Sequence, residues 1–120
     1  MGRRARSREK LTAPTSDYTD AEGNTLTLRG SLTAGSRRDY ARVMSGEGDR
    51  PGAAREDAWQ RGVELLFEKL AVGWEVAGVP VQGQRELLGR LRVASAEERR
   101  WVREALREHC REHFPDVEAP

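Results

Sequence analysis

Glu56-Asp57-Ala58-Trp59-Gln60-Arg61-Gly62-Val63-Glu64-Leu65-Leu66-Phe67-Glu68-Lys69-Leu70-Ala71-Val72 is the stretch whose periodicity decides the fold. Trp59, Val63, Leu66, Phe67 and Leu70 recur at i, i+4, i+7, i+8 and i+11, one broad apolar face at helical spacing. Glu64 and Glu68 fall toward the other side, and Gly73 fits a C-cap. The spacing predicts a helix from about Glu56 to Val72 with a core on one side of it.

Downstream, Trp74, Val76 and Val79 alternate with small or polar residues as far as Pro80, which predicts an extended segment covering that core. A short helix from about Gln82 to Leu91 offers Leu87, Leu88 and Leu91. Ser95-Ala96-Glu97-Glu98 is a capping box, with Ser95 as N-cap and Glu98 at N3. The helix it opens runs to about His113 and is stopped by Phe114-Pro115.

Upstream, Gly46-Glu47-Gly48-Asp49-Arg50-Pro51-Gly52 reads as a flexible loop, about 46–55. Thr33 is an N-cap for a helix of about ten residues containing Tyr40, Val43 and Met44. Thr25-Leu26-Thr27-Leu28-Arg29 alternates strictly and reads as a short half-buried strand. Such a strand needs a partner strand or a covering helix. Residues 1–20 lack apolar periodicity and read as a disordered basic tail, residues 21–114 as a single helical domain, and residues 115–120 as a short acidic tail. The expected fold is mainly α within the α+β class: three to four helices around one small core, with a short N-terminal strand element.

Composition bounds the function. Of 120 residues, 34% are charged and 37% apolar, with no apolar run approaching the roughly 20 residues of a membrane span. Arg3, Arg4, Arg6, Arg8 and Lys10 crowd the first ten residues, whereas the rest of the chain holds 16 basic and 19 acidic groups. Basicity therefore sits in a tail rather than on a folded surface. No apolar segment follows that tail, so it does not read as a secretory signal, and the expected location is the cytoplasm. One cysteine, Cys110, leaves no internal disulfide and fits a reducing compartment.

The chemistry-bearing motifs reduce to structural explanations. His109-Cys110-Arg111-Glu112-His113 matches H-x-x-E-H formally, and histidines four apart share a helix face. A zinc site also needs a third ligand, and only seven residues follow. Cys110 projects about 100° away from His109 on a helix and reads as a small buried thiol. Glu97 and Glu98 are explained by capping and the helix dipole. No phosphate-binding glycine motif and no nucleophile motif occurs. The expectation is a protein without catalytic centre, cofactor or metal. The stretch Arg99-Arg100 to Arg103, balanced by Glu97, Glu98 and Glu104, reads as a solvated helix face. Trp59, Trp74 and Trp101 are the large anchors; core packing is expected for at least two of them, and one left partly exposed would suit partner binding.

Several segments together carry a resemblance. The strand Thr25–Arg29 leads into Leu32-Thr33-Ala34-Gly35-Ser36-Arg37-Arg38-Asp39-Tyr40. A long helix follows, closing on Leu70-Ala71-Val72-Gly73-Trp74, then Val79-Pro80-Val81 and a Leu-bearing helix from Glu86 to Leu91. Over about residues 22–114 this resembles the tail assembly chaperones of long-tailed, siphovirus-type phages of actinobacteria. The resemblance implies a cytoplasmic protein, made late in infection, that binds the tape-measure protein and/or tail-tube subunits. In that family a longer product often arises by ribosomal frameshifting. The residues alone leave a second reading open: a small nucleic-acid-binding regulator that neutralises phosphates with its Arg-rich N-terminal tail.

Overall fold

A computed structural model describes residues 14–46 and 55–120. Eight elements follow in the order ββααββαα: β1 (Thr15–Thr19), β2 (Thr25–Arg29), α1 (Ala34–Met44), α2 (Arg55–Leu70), β3 (Ala71–Val76), β4 (Val79–Gln82), α3 (Gln84–Arg92) and α4 (Ala96–His113). The strands form one antiparallel sheet in the order β1-β2-β3-β4. The chain is thus an α+β domain with a full sheet, not a helical domain carrying a strand element. Among the described residues no helix is long and apolar enough to cross a membrane.

The helices begin where their caps say. The Thr33 side chain accepts from the Ser36 amide at the start of α1. At the start of α4, Ser95 and Glu98 exchange both bonds of the capping box. Two boundaries differ from the sequence reading. The first β-strand, Thr15–Thr19, lies within the stretch read as a disordered tail; residues 1–13 fall outside the described residues, as do residues 47–54 of the expected loop. The long helix stops at Leu70, and Ala71–Gly73 go straight into β3. Gly73 is a strand residue paired with Thr27 rather than a C-cap. Helical periodicity through Val72 is overridden because β2 offers Ala71–Val76 a ladder of backbone partners.

The register explains which side chains turn inward. Leu26 pairs with Tyr18 on one side and Trp74 on the other, and Trp74 pairs with Val81. A bulge then sets Ala71 against Leu28, skipping Val72, which is left 39% exposed. Without that extra residue the two-residue side-chain period would turn Ala71 outward. The inner face meets Tyr40 and Met44 of α1, Phe67 and Leu70 of α2, Leu87 and Leu91 of α3, and Val102, Leu106 and Cys110 of α4. The outer face carries Asp17, Thr19, Thr25, Thr27 and Glu75 toward water, the usual division of a one-sided antiparallel sheet.

Two tight turns are tied together. Asp20 Oδ1 accepts from the amides of Glu22 and Asn24 (both 2.9 Å), closing the β1–β2 hairpin. The buried Asn24 side chain donates to Asp20 Oδ2 and accepts from the Ala77 amide at 2.9 Å, within the β3–β4 turn. In that two-residue turn both Ala77 (φ 51°) and Gly78 (φ 76°) have positive φ, the geometry that suits the sheet twist but disfavours a Cβ.

Residues 115–120 pack on the body instead of trailing as an acidic tail. Phe114 is buried, and Val117 and Ala119 lie against the core. Tyr40 donates to the Glu118 carbonyl at 2.5 Å, and Arg107 donates to the Pro120 carbonyl at 2.9 Å. The tail's acids are paired outward, Asp116 with Arg37 and Glu118 with Arg55.

Two substitutions of opposite sign test this account by denaturant unfolding. Ala77→Gly removes a left-handed Cβ and is expected to raise stability by up to about 1 kcal/mol. A Cβ on Gly30 would sit 2.9 Å from the Pro14 carbonyl oxygen that its own amide bonds. Gly30→Ala therefore pushes the start of β1 away, and is expected to cost about 1–3 kcal/mol.

Candidate functional site

The cleft with the most chemistry lies where α2 meets the junction of α3 and α4. It encloses about 400 Å³, with Val63, Leu91 and Ala96 as its apolar lining. Arg92, Arg99, Arg100 and Arg103 surround that floor, together with Glu56, Gln60 and Glu64. Arg103 pairs with Glu56 at 3.0 Å and Arg92 with Glu64 at 3.2 Å, which holds two guanidinium groups across the cleft. Arg99 donates to the Arg92 carbonyl at 2.6 Å, and Arg100 is exposed. Four cations face two carboxylates, so the lining has a positive balance.

Trp59 meets this cleft through Arg103, one of its lining residues. Two guanidinium groups stack on its ring, Arg55 at 5.3 Å and Arg103 at 5.1 Å from the ring centroid. Such stacking orients Arg103 while leaving its outer nitrogens for carboxylates. Trp59 and Trp101 are half-buried against the core. Trp74 is 2% exposed, edge-on to Phe67 and capped by Arg90. As an expected partner-binding residue it is therefore corrected: a partner cannot reach it in the closed fold, because it is the central side chain on the inner sheet face.

The histidine pair takes a structural role. His109 is fully buried, and its Nε2 lies 2.8 Å from the Arg29 carbonyl oxygen. A carbonyl only accepts, so Nε2 carries the proton and Nδ1 accepts from the Tyr18 hydroxyl at 2.8 Å. Ser16 Oγ meets His113 Nε2 at 3.2 Å. These contacts lock β1 and β2 to the end of α4. Both nitrogens of His109 are engaged, so chelation would require breaking two buried hydrogen bonds. Among the described residues no three His, Cys, Asp or Glu side chains come close enough to share a metal. Burial pushes the Cys110 thiol up to about 11, which leaves it protonated at neutral pH.

The Arg cluster escaped the sequence reading, which balanced Arg99, Arg100 and Arg103 against neighbouring acids along the chain. The missed signal was rotational. Arg99, Arg103 and Arg107 are spaced by four, as are Glu104, Glu108 and Glu112, so the two rows run along different flanks of α4.

Searched against protein-family descriptions, curated proteins and solved structures, the chain matches none of them.

Burial lowers the pKa of His109 below 6.5, assisted by His113 and opposed by the Arg29 carbonyl and Glu112. The unfolded chain therefore takes up this proton first, so the contribution is complete above about pH 6.5 and is lost as pH falls below it. Denaturation midpoints are expected to drop between pH 7.5 and 5.5, and to drop less in His109→Gln, which can keep one donor and one acceptor. Cys110 is expected to resist a disulfide reagent in buffer and to react fully in denaturant; fast labelling of the native protein would contradict its burial.

Proposed function

We propose that this protein is a non-enzymatic protein-binding factor that works in phage tail assembly, binding the tape-measure protein and/or tail-tube subunits. The observation that carries the binding reading is the α2–α4 cleft: an apolar lining within a ring of arginines. An apolar groove with a charged rim suits a helical or extended segment of another protein. The rim contributes orientation and encounter rate, and the apolar lining contributes contact area. Assignment to tail assembly rests on the sequence resemblance, and a small adaptor of this architecture is compatible with it.

The row Arg99, Arg103 and Arg107 favours a second reading, a nucleic-acid-binding regulator, beyond the basic N-terminal stretch. Against it, Glu56 and Glu64 already occupy two guanidinium groups of the cleft and repel phosphate. The cleft also has no exposed aromatic pair to stack bases.

Co-expression with the phage tape-measure and tail-tube proteins, followed by capture, tests the proposal. Specific capture of either is expected, with at least a fivefold loss in Arg99→Gln/Arg100→Gln. Capture of neither, with nucleic acid retained at low salt and released steeply as salt rises, would sink it in favour of the second reading.

A further inference from the structure

Helix α4 carries both halves of an electrostatic contact. Arg99 and Arg103 line the α2–α4 cleft, and at 100° per residue Arg107 continues their row along the same flank. Glu97, Glu104, Glu108 and Glu112 fall on the opposite flank, with Trp101 among them. All four glutamates are exposed and none forms an ion pair with another described residue, whereas Arg103 and Arg107 are held by Glu56 and by the Pro120 carbonyl. Trp101 sits four residues after Glu97 and three before Glu104, half-buried in the middle of this acidic ridge. The ridge thus carries one half-buried aromatic side chain among carboxylates. The cleft presents an apolar lining flanked by guanidinium groups.

We infer that the acidic, Trp101-centred ridge of one copy docks in the arginine-rimmed α2–α4 cleft of a second copy. The argument is complementarity of charge and arrangement. A row of carboxylates about 5–6 Å apart along a helix, one per turn, meets a cleft whose lining holds four guanidinium groups and two carboxylates. Arg99 and Arg100 are the cleft arginines not paired with a carboxylate, Arg99 bonding only the Arg92 carbonyl, and planar guanidinium matches carboxylate with two parallel hydrogen bonds. Ridge and cleft are different surfaces of one molecule, so the contact is heterologous and assembly continues past a pair. The inference uses the cleft of the preceding section but needs no tail protein. Its test employs the purified chain alone, so its failure and the failure of the tail-assembly reading are separate results.

Sedimentation or light scattering of the full chain at 10–500 µM provides the test. In about 20 mM salt the average mass is expected to rise with concentration beyond the 13.5 kDa monomer, returning to monomer near 0.5 M salt, where screening acts within a few ångströms. Arg99→Gln/Arg100→Gln removes the cleft charge and Glu104→Gln/Glu108→Gln removes the ridge charge. All four positions are exposed, and glutamine is a good helix former, so helicity by circular dichroism should be unchanged. Each variant alone should associate at least tenfold more weakly. Their mixture should form a one-to-one complex that grows no further, because only one cleft and one ridge remain intact. A monomer at every concentration in low salt, or association insensitive to salt, overturns the inference. So does association that ignores the cleft variant but disappears when Arg3, Arg4, Arg6, Arg8 and Lys10 are changed to serine.

Discussion

The pairing of β2 with β3 is the constraint on which the rest of this fold depends. Each hairpin alone is a two-stranded ribbon, marginal in water, with an apolar face it cannot bury. Joined at β2–β3 they become a four-stranded sheet whose inner face is large enough to take four helices. The bulge at Val72 lets Leu26 meet Trp74 and Leu28 meet Ala71 on the same side. Asn24, bonded to Asp20 in one turn and to Ala77 in the other, reinforces the join at one end of the sheet. A buried polar group so placed is satisfied only when both hairpins are in register, which favours this pairing over a slipped one.

The second organising contact fixes α4 against the sheet. Val102, Leu106 and Cys110 supply the area, while His109 supplies direction, since its imidazole bonds Tyr18 on β1 and the backbone of β2 at once. That arrangement has a functional corollary. With the His109 face turned into the core, the remaining circumference of α4 is set: arginines toward α2 and its cleft, glutamates with Trp101 on the other side. The histidines that look most like a site in the sequence are the residues that orient the surfaces more suited to binding.

Much of the local structure was legible because its causes are local. Thr33 and the Ser95–Glu98 box start helices by bonding backbone amides within three residues. The apolar face of α2 follows from spacing, and Thr25–Arg29 alternates because one side of β2 is buried. The β1 strand was not legible: Thr-Ser-Asp-Tyr-Thr carries little apolar signal. Its place comes from the β2 ladder and from Tyr18 and Ser16 reaching the histidines. The end of α2 was misjudged for the same reason, since nothing near Ala71 and Val72 shows that β2 waits to pair with them. The packed C-terminal residues likewise depend on Tyr40 and Arg107, far away along the chain.

What the sequence determined by itself was therefore the set of elements governed by neighbours three or four residues apart: helix starts, the apolar stripe of α2 and the alternation of β2. Tertiary structure alone decided that four strands form one sheet, that Trp74 is core while Trp59 and Trp101 are half-buried, and that four arginines from two helices surround one apolar cleft. The physical reason is range. Capping and periodicity act within a turn or two of chain, whereas strand pairing, burial and the summed charge of a surface depend on residues brought together from distant positions.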